Sequence, residues 1–448
     1  MLTRTGYVLK KSADQPIDVF ELKKTLTVRP IENAVGITPP AFKVFRETKE
    51  HICVPRYFGI ERFGPARETR PEPVPITVKY TGVLRDTTRQ NEAFQKGLEA
   101  FQTLGGGVLS LAPGFGKTQV AIALACHMGL RTIIIVHKEF LAEQWESRIR
   151  AFCPGATIGR IQQDKCEINC DFSIAMIQTL SLREHDMKQF DTFGLVIVDE
   201  AHHIGSRAFS QAMFKVCPRY TLGLTATPER KDGLTRLLYW FLGPNFLTVE
   251  RENQSVVKVV PLHFHDEMFK RAPPVNRMGS ISVVDIINIL VSIPERNELI
   301  IKTIREALKQ NRKVLFLSDR RGHCFEMEAE FGDLSGLYLG GMKQEDLEES
   351  SKKQLILGTF ALAQEGLDIP TLDTVVLATP HSDVKQAVGR ILRETKGKVN
   401  SPVIYDVVDK WSVLMGMYRK RCIMYKEAGF QCEVDTPPAP TKTFAFHL

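Results

Sequence analysis

The sequence Leu111-Ala112-Pro113-Gly114-Phe115-Gly116-Lys117-Thr118 decides the fold of this chain. It follows an apolar run at 107–111, which predicts a buried strand, and precedes residues 119–130, which predict a helix. A strand, a glycine-rich turn, Gly-Lys-Thr and a helix together are typical of the P-loop, a cradle for nucleotide phosphates. The full pattern has glycine where this chain has Leu111, so a chance turn is the alternative. The predicted phosphate-binding residues are Pro113, Gly114, Phe115, Gly116, Lys117 and Thr118, with the Thr118 hydroxyl assigned to Mg²⁺.

Continuous runs of Val, Ile and Leu alternate with helical patterns around this motif and again after residue 295. Buried strands separated by helices indicate parallel sheets covered on both faces, so the fold class is α/β with two lobes in tandem. Strands are predicted at 107–111, 132–136, 173–177, 195–198 and 220–224, and then at 314–317, 337–339, 354–357, 374–378 and 403–407. Helices are predicted at 90–104, 138–152, 296–310, 384–392 and 413–428.

The remaining sequence divides the chain further. Residues 1–80 carry 14 Lys and Arg against 9 Asp and Glu, a net charge of 14 − 9 = +5. This region is predicted to contact a nucleic-acid backbone or, as the alternative, to pack as a subdomain with a solvated basic face. A proline-rich stretch at 71–75 predicts a stiff linker. The predicted domains are a small basic N-terminal domain at 1–80, lobe 1 at 81–250, a connector at 251–295, lobe 2 at 296–435 and a loose tail at 436–448.

Composition places few limits on function. The 448 residues carry 59 − 52 = +7 formal charges, which suits a polyanionic partner or an ordinary basic surface. Nine scattered cysteines predict free thiols in a reducing, intracellular compartment. A zinc site at Cys166 and Cys170 is the alternative to two partly buried thiols. The start of the chain has no apolar signal core, and no run of about 18 apolar residues occurs, so neither a secretory leader nor a membrane helix is expected.

A second chemical motif follows the predicted strand at 195–198. Asp199 and Glu200 come directly after it, at the strand end where open α/β sheets bind ligands. Asp199 is predicted to hold Mg²⁺, and Glu200 is predicted to orient and deprotonate an attacking water. The alternative is that these carboxylates only cap the next helix.

Four motifs in order resemble those of superfamily-two helicases of the DEAH type. They are Gly114-Phe115-Gly116-Lys117-Thr118, Asp199-Glu200-Ala201-His202, Leu224-Thr225-Ala226-Thr227-Pro228 and Gln386-Ala387-Val388-Gly389-Arg390-Ile391-Leu392-Arg393. The resemblance implies two RecA-like lobes with ATP and Mg²⁺ as cofactors, bound in the cleft between the lobes. Gln386, Arg390 and Arg393 share one helix face by their spacing. The resemblance implies that Arg390 and Arg393 act as arginine fingers.

The resemblance also implies roles for residues outside the phosphate site. It implies nucleotide contacts at Gln90 and Asp368, nucleic-acid contacts at Gln144, Trp145, Thr179 and Thr359, and coupling roles at His202, Thr225 and Thr227. The family usually has an aromatic residue before the adenine-reading glutamine, whereas this chain has Arg89. Local roles are the alternatives, namely a helix start at Gln90, an N-cap at Thr179, and turn contacts at Thr225, Thr227 and Asp368.

Finer features of the sequence resemble one branch of this helicase superfamily. The leucine at 111, the Gln144-Trp145 pair and the sequence Pro228-Glu229-Arg230-Lys231-Asp232-Gly233 resemble the XPB and phage UvsW branch. Residues 42–47 and 54–59 are similar to helicases of large DNA viruses, including those related to the poxvirus transcript-release helicase. This implies a DNA motor in transcription or recombination and adds a virus factory or virion as a location. The alternatives are an RNA helicase with the same motor, a non-enzymatic nucleotide-gated binding subunit, and a P-loop kinase.

Overall fold

The computed structural model divides the chain into two compact units, Met1–Arg251 and Glu252–Leu448. It describes all residues except 12–17, 32–38, 113, 185, 202–205, 227–232, 250–256, 277–278, 366–368, 370, 383, 392–399 and 434–448. Only the backbone is described for the helical residues 206, 344, 363–365, 386, 390 and 391. In the part of the chain so described, no helix combines the length and apolar character that a bilayer crossing requires.

The first unit begins with a small antiparallel sheet of strand order β1-β2-β6-β5. The elements of this N-terminal region are β1 (Leu2–Thr3), β2 (Gly6–Lys10), α1 (Val19–Thr25), β3 (Thr27–Val28), β4 (Phe42–Lys43), β5 (Arg46–Glu47), β6 (His51–Val54) and α2 (Arg56–Phe63). Alternate residues of β6 face inward because strand side chains have a period of two, so Ile52 and Val54 are fully buried. They pack in one cluster with Leu22, Leu26 and Phe58.

This N-terminal region packs against lobe 1 within the same compact unit. The buried Arg56 donates from Nη1 to the carbonyl oxygen of Arg219 at 2.6 Å, and Phe58 makes an edge-to-face contact with Trp240 at 5.0 Å between centroids. Val28 shares a hydrophobic cluster with lobe 1 residues. The boundary expected at about residue 80 is therefore not a boundary between compact units.

The stretch expected to be a stiff linker lies along lobe 1, and we name residues 71–83 the strap. Its backbone N–H groups at Val74, Ile76 and Thr81 donate to carbonyl oxygens of lobe 1 at 2.8–3.0 Å. The Tyr80 ring contacts Phe152 with 5.9 Å between centroids. Proline-rich composition indicates stiffness, but it says nothing about which surface an extended segment follows.

Lobe 1 is an eight-stranded sheet of order β10-β9-β11-β8-β12-β13-β7-β14, parallel except for β10. Its elements are α3 (Gln90–Leu104), β7 (Gly106–Leu111), α4 (Lys117–Met128), β8 (Thr132–Val136), α5 (Glu139–Phe152), β9 (Ile158–Gln162), β10 (Lys165–Cys166), β11 (Phe172–Met176), α6 (Ile177–Leu182), β12 (Leu195–Val198), α7 (Ser206–Met213), β13 (Tyr220–Thr225), α8 (Thr235–Leu242) and β14 (Asn245–Val249). The central strands β8 and β12 are buried along their whole length, as expected for a sheet with helices on both faces.

Lobe 2 is a seven-stranded sheet of order β17-β18-β16-β19-β20-β15-β21, and all of its strand pairs are parallel. Its elements are β15 (Lys258–Phe264), α9 (Val283–Val291), α10 (Pro294–Lys309), β16 (Val314–Ser318), α11 (Arg321–Phe331), β17 (Ser335–Tyr338), α12 (Gln344–Lys352), β18 (Leu355–Thr359), α13 (Phe360–Glu365), β19 (Thr374–Leu377), α14 (Lys385–Ile391), β20 (Val403–Asp409), α15 (Ser412–Glu427) and β21 (Gln431–Cys432). The two lobes confirm the predicted RecA-like α/β fold class.

The expectation of a connector at 251–295 is wrong for the residues that the structure describes there. β15 pairs with β20 along its whole length, from Lys258 opposite Val403 to Phe264 opposite Asp409. Helix α9 packs beside it, since Ile286 and Leu290 share a cluster with Phe264. Pro261 lies inside β15, and a proline within an apolar run argues against a strand, which is why the sequence pattern misled.

Candidate functional site

The glycine turn between β7 and α4 has the backbone conformation that the P-loop motif predicts. Gly114 and Gly116 have φ values of 88° and 81°, in the left-handed region where a Cβ is strongly disfavoured. A Cβ at Gly116 would also lie 2.4 Å from Nε2 of Gln90. The turn leads directly into the 12-residue α4, whose first N–H groups have no partner within the helix and suit an anion.

Lys117 and Glu200 meet at the carboxyl edge of the lobe 1 sheet. Nζ of Lys117 donates to Oε1 of Glu200 at 3.0 Å, and the two side chains are 11% and 23% exposed. Glu200 lies just after β12 with a φ of 45°, an uncommon conformation for a residue with a side chain. Such backbone strain is concentrated at functional sites because surrounding contacts must impose it. The structure thus brings together the two residues assigned to the phosphates and the attacking water.

Asp199 lies beside this pair, and its buried carboxylate is held by hydrogen bonds to both oxygens. Its Oδ2 accepts from Nε1 of Trp145 at 2.8 Å, and its Oδ1 accepts from the backbone N–H of Glu200 at 3.0 Å. Burial and then the charge of Glu200 raise the pKa of Asp199 to about 6, while Lys117 and the Trp145 hydrogen bond oppose that shift. The carboxylate is therefore held in one orientation at an electrostatic cost.

The placement of Trp145 corrects the expectation that its side chain contacts nucleic acid. The indole is 1% exposed and lies in the lobe 1 core on α5, where its N–H is used by Asp199. A stacking contact with a base would require the ring to leave this core. The neighbouring Gln144 is exposed on α5, and its predicted nucleic-acid contact stays a prediction. Sequence reasoning missed Trp145 as a positioning residue, although its helix follows β8, the strand beside β12.

Gln90 connects the start of α3 to the glycine turn. Its Oε1 accepts from the backbone N–H of Arg85 at 3.0 Å, and its Nε2 donates to the carbonyl oxygen of Phe115 at 2.9 Å. Gln90 is also the first residue of α3, so the helix-start alternative describes its position correctly. The preceding Arg89 has a φ of 51° and forms an ion pair with Glu92. The adenine contact of Gln90 stays a prediction.

Three predicted threonines lie at ends of strands or helices. Thr179 is the third residue of α6, whose N-cap is Met176, so the N-cap alternative is wrong. Its hydroxyl instead accepts from the backbone N–H of Gln163 at 3.1 Å. Thr225 is the last residue of β13 and is fully buried, while the half-buried Thr359 ends β18.

Several predicted residues cannot be placed. Pro113, His202, Thr227, Asp368 and Arg393 lie outside the described residues, as do the side chains of Gln386 and Arg390. The backbone of α14 is described over 385–391, so Gln386 and Arg390 do lie in one helix. No group of three or more metal-binding side chains occurs among the described residues, and the zinc alternative at Cys166 and Cys170 has no structural support.

The residues present fit a nucleotide with a divalent cation. The glycine turn leaves room that a Cβ would fill, and Lys117 supplies a cation at the start of α4. The hydroxyl of Thr118 and the carboxylate of Asp199 are oxygen donors, which Mg²⁺ prefers. Mg²⁺ keeps several waters and takes few protein ligands, so a site of two side chains is sufficient.

Replacing Asp199 by Asn should stabilise the nucleotide-free protein while weakening Mg²⁺-nucleotide binding. A pKa raised from 3.8 to about 6 means that ionised Asp199 destabilises the folded state at neutral pH. That shift corresponds to about 3 kcal/mol. Asn can accept from only one of the two N–H donors and turns its amide nitrogen toward the other, which costs about 1–2 kcal/mol, so we expect Asp199→Asn to gain on the order of 1 kcal/mol at pH 7. The gain should shrink as the pH falls below 6, because the folded-state carboxyl is then already neutral.

Thermal unfolding at pH 7.5 and pH 5, paired with Mg²⁺-nucleotide titrations, checks this expectation. Asp164→Asn is the matched control, since that carboxyl is 93% exposed. A lower melting temperature for Asp199→Asn than for the natural protein at pH 7.5 would contradict the expectation.

Comparison with known proteins supports the same chemistry. The family profile of the type III restriction enzyme res subunit matches residues 84–230. A protein of Acanthamoeba polyphaga mimivirus, named as an ATP-dependent RNA helicase, is 33% identical over 91% of this chain and 81% of its own length. A protein of Invertebrate iridescent virus 6, named as a helicase, is 29% identical over 79% of this chain and 83% of its own.

Among solved structures, T4 UvsW aligns with 92% of this chain and 94% of its own at 15% identity and a TM-score of 0.38, a likeness too low to carry an argument. The family profile covers Lys117, Asp199 and Glu200, and the matches to the two viral helicases extend over both lobes. The chain therefore belongs to the superfamily-two helicases, together with helicases of large DNA viruses, a family of enzymes that hydrolyse ATP and bind nucleic acid.

Proposed function

We propose that this chain is a DNA helicase or translocase that couples ATP hydrolysis to movement along its track. The observation that carries the proposal is the ion pair between Lys117 and Glu200 at 3.0 Å, beside the buried, doubly hydrogen-bonded Asp199. An isolated P-loop lysine would serve binding alone. A carboxylate that reaches the same ammonium group puts a proton acceptor where an attacking water is needed.

Each side chain has one task in this proposal. Lys117 holds the β- and γ-phosphates, and Glu200 orients the attacking water and accepts its proton. Thr118 and Asp199 hold Mg²⁺, which neutralises negative charge on the phosphate oxygens. Trp145 keeps the Asp199 carboxylate in its orientation through the 2.8 Å hydrogen bond.

Three further residues, Gln386, Arg390 and Arg393, are proposed to assist the reaction. The guanidinium groups of Arg390 and Arg393 would stabilise charge that develops on the transferred phosphoryl group. The support for this is the shared helix of Gln386 and Arg390 and the spacing of all three in the sequence.

Two versions of the proposal differ in the nucleic acid along which the chain moves. DNA is favoured by the resemblance of this chain's motifs to the XPB and UvsW branch. RNA is the second candidate, because the mimivirus relative is named as an RNA helicase. The residues that bind and hydrolyse ATP do not distinguish a DNA track from an RNA track. Contacts to the phosphates of the track do not distinguish them either, since such contacts position a strand without reading its sequence.

A panel of nucleic acids tests the proposal. The rate of phosphate release should rise in the presence of nucleic acid, and duplex DNA should stimulate it more than single-stranded DNA or structured RNA. Greater stimulation by RNA would overturn the DNA assignment and support the second candidate. Nucleotide binding without any turnover would overturn the enzymatic proposal and favour a nucleotide-gated binding subunit.

A further inference from the structure

A second glutamine, Gln119, lies against the glycine turn and has no role in the site described above. It is the third residue of α4, directly after Thr118. Its Nε2 donates to two atoms of the strap, the hydroxyl of Tyr80 at 2.9 Å and the carbonyl oxygen of Val83 at 2.8 Å. The strap thereby attaches to the first turn of the phosphate-binding helix.

These two bonds fix which end of the Gln119 amide faces the strap. A backbone carbonyl only accepts hydrogen bonds, so the atom facing Val83 must be the amide nitrogen. Both of its hydrogens are used, one on each strap partner. The remaining group, Oε1, is an acceptor. If it exchanged places with the nitrogen, the Tyr80 hydroxyl could still donate to it, but the bond to the Val83 carbonyl would be lost and two acceptors would face each other.

Oε1 of Gln119 lies on the turn that binds the phosphates. A Cβ built at Gly116 would lie 2.4 Å from Nε2 of Gln90 and 3.8 Å from Oε1 of Gln119, and these two glutamines supply its three nearest atoms. Gln90 is held there by the carbonyl oxygen of Phe115. A nucleoside joined to phosphates on this turn comes within reach of the side chains that line it.

We infer that Gln119 selects the nucleobase, with its Oε1 accepting a hydrogen bond from the 6-amino group of adenine. The same acceptor faces the 6-oxo group of guanine unfavourably, because two acceptors cannot share a hydrogen bond. The carbonyl oxygen of Val83 enforces the selection, since turning the amide to suit guanine would break its hydrogen bond and set Oε1 against that carbonyl. This inference rests on the proposed function and adds the residue that distinguishes adenine from guanine nucleotides.

Equilibrium binding to the full chain separates base selection from a purely structural role. Fluorescent ATP and GTP analogues report binding, and inorganic tripolyphosphate competes as a ligand without a base. The natural chain should bind ATP more tightly than GTP. Gln119→Ala should reduce that preference about tenfold, as expected for the loss of one specific hydrogen bond in a partly buried site. Its affinity for tripolyphosphate should stay within about twofold of the natural value, well below the tenfold change that one specific bond represents.

Two further variants sharpen the test. Tyr80→Phe removes one strap bond but leaves the Val83 carbonyl to orient the amide, so most of the preference for ATP should remain. Gln102→Ala makes the same substitution at an exposed position on α3 and should bind both nucleotides as the natural chain does. An unchanged ATP-to-GTP ratio in Gln119→Ala would overturn the inference. So would an equal loss of affinity for ATP, GTP and tripolyphosphate, which indicates a role in folding the turn. Absence of nucleotide binding by the natural chain would instead overturn the proposed function.

Discussion

Glu200→Gln should abolish ATP turnover while leaving the nucleotide bound. The amide that replaces the carboxylate keeps an oxygen to accept from Lys117, so the 3.0 Å contact can persist. An amide cannot take a proton from water, and we expect a loss in kcat of about 10²- to 10⁴-fold, the contribution typical of general acid–base catalysis. Phosphate release at saturating ATP measures kcat, and equilibrium titration measures affinity.

Lys117→Ala should differ from Glu200→Gln in a way that separates binding from chemistry. Removal of the ammonium group takes away a cation for the phosphates and leaves the largely buried Glu200 without the partner seen here. Affinity for ATP should therefore fall together with turnover. Lys96→Ala is the control, because that lysine forms an exposed ion pair with Glu99 on α3. Turnover by Glu200→Gln within about twofold of the natural rate would contradict the assigned role.

The largest effect on stability is expected at Arg296 in lobe 2. This arginine is fully buried and donates to both carboxylate oxygens of Asp409, at 2.7 and 2.9 Å, and to the carbonyl oxygen of Ala378 at 2.7 Å. Arg296→Met leaves the buried carboxylate of Asp409 without its countercharge. Breaking such a pair costs about 3–5 kcal/mol, because an uncompensated charge then remains in the interior.

Hydrogen exchange of the backbone amides in β19 and β20 measures this loss locally, which matters because a chain of two compact units need not unfold in one transition. Arg305→Met is the control, since its ion pair with Glu330 is exposed. Replacing Asp409 by Leu as well should restore much of the protection, because the unpaired charge is then gone. Natural protection factors in Arg296→Met would show that the ion pair does not stabilise lobe 2.

Local signals predicted the elements that carry the site. The prediction of a helix at 90–104 was correct to the residue. Its end could be predicted because Gly105, with a φ of 75°, ends the helix in the left-handed conformation. The glycine turn and the two carboxylates after β12 were also found where the strand–helix pattern placed them. In each case the residue types and the backbone conformation they favour lie next to one another in the sequence.

Features that depend on distant partners could not be predicted in this way. Trp145 was assigned to nucleic acid because the family resemblance implies a contact there, but its distance from Asp199 depends on how β8 and β12 pair. Thr179 was predicted to contact nucleic acid, with an N-cap as the alternative, and neither prediction includes the bond that its hydroxyl accepts from the backbone N–H of Gln163, 16 residues earlier. The strap was predicted to be a stiff linker because it is rich in proline. Several of its hydrogen bonds to lobe 1 join backbone groups on both sides, and the side-chain pattern of a sequence does not record such bonds.

One measurement tests the central claim, that the site of Lys117, Asp199 and Glu200 drives movement along DNA. A duplex DNA with a fluorescent third strand bound downstream reports passage of a motor, whether or not the two duplex strands separate. The natural chain should release the third strand in the presence of ATP and Mg²⁺, and Glu200→Gln should not. ATP hydrolysis by the natural chain without release of the third strand, or equal release by Glu200→Gln, would contradict the claim.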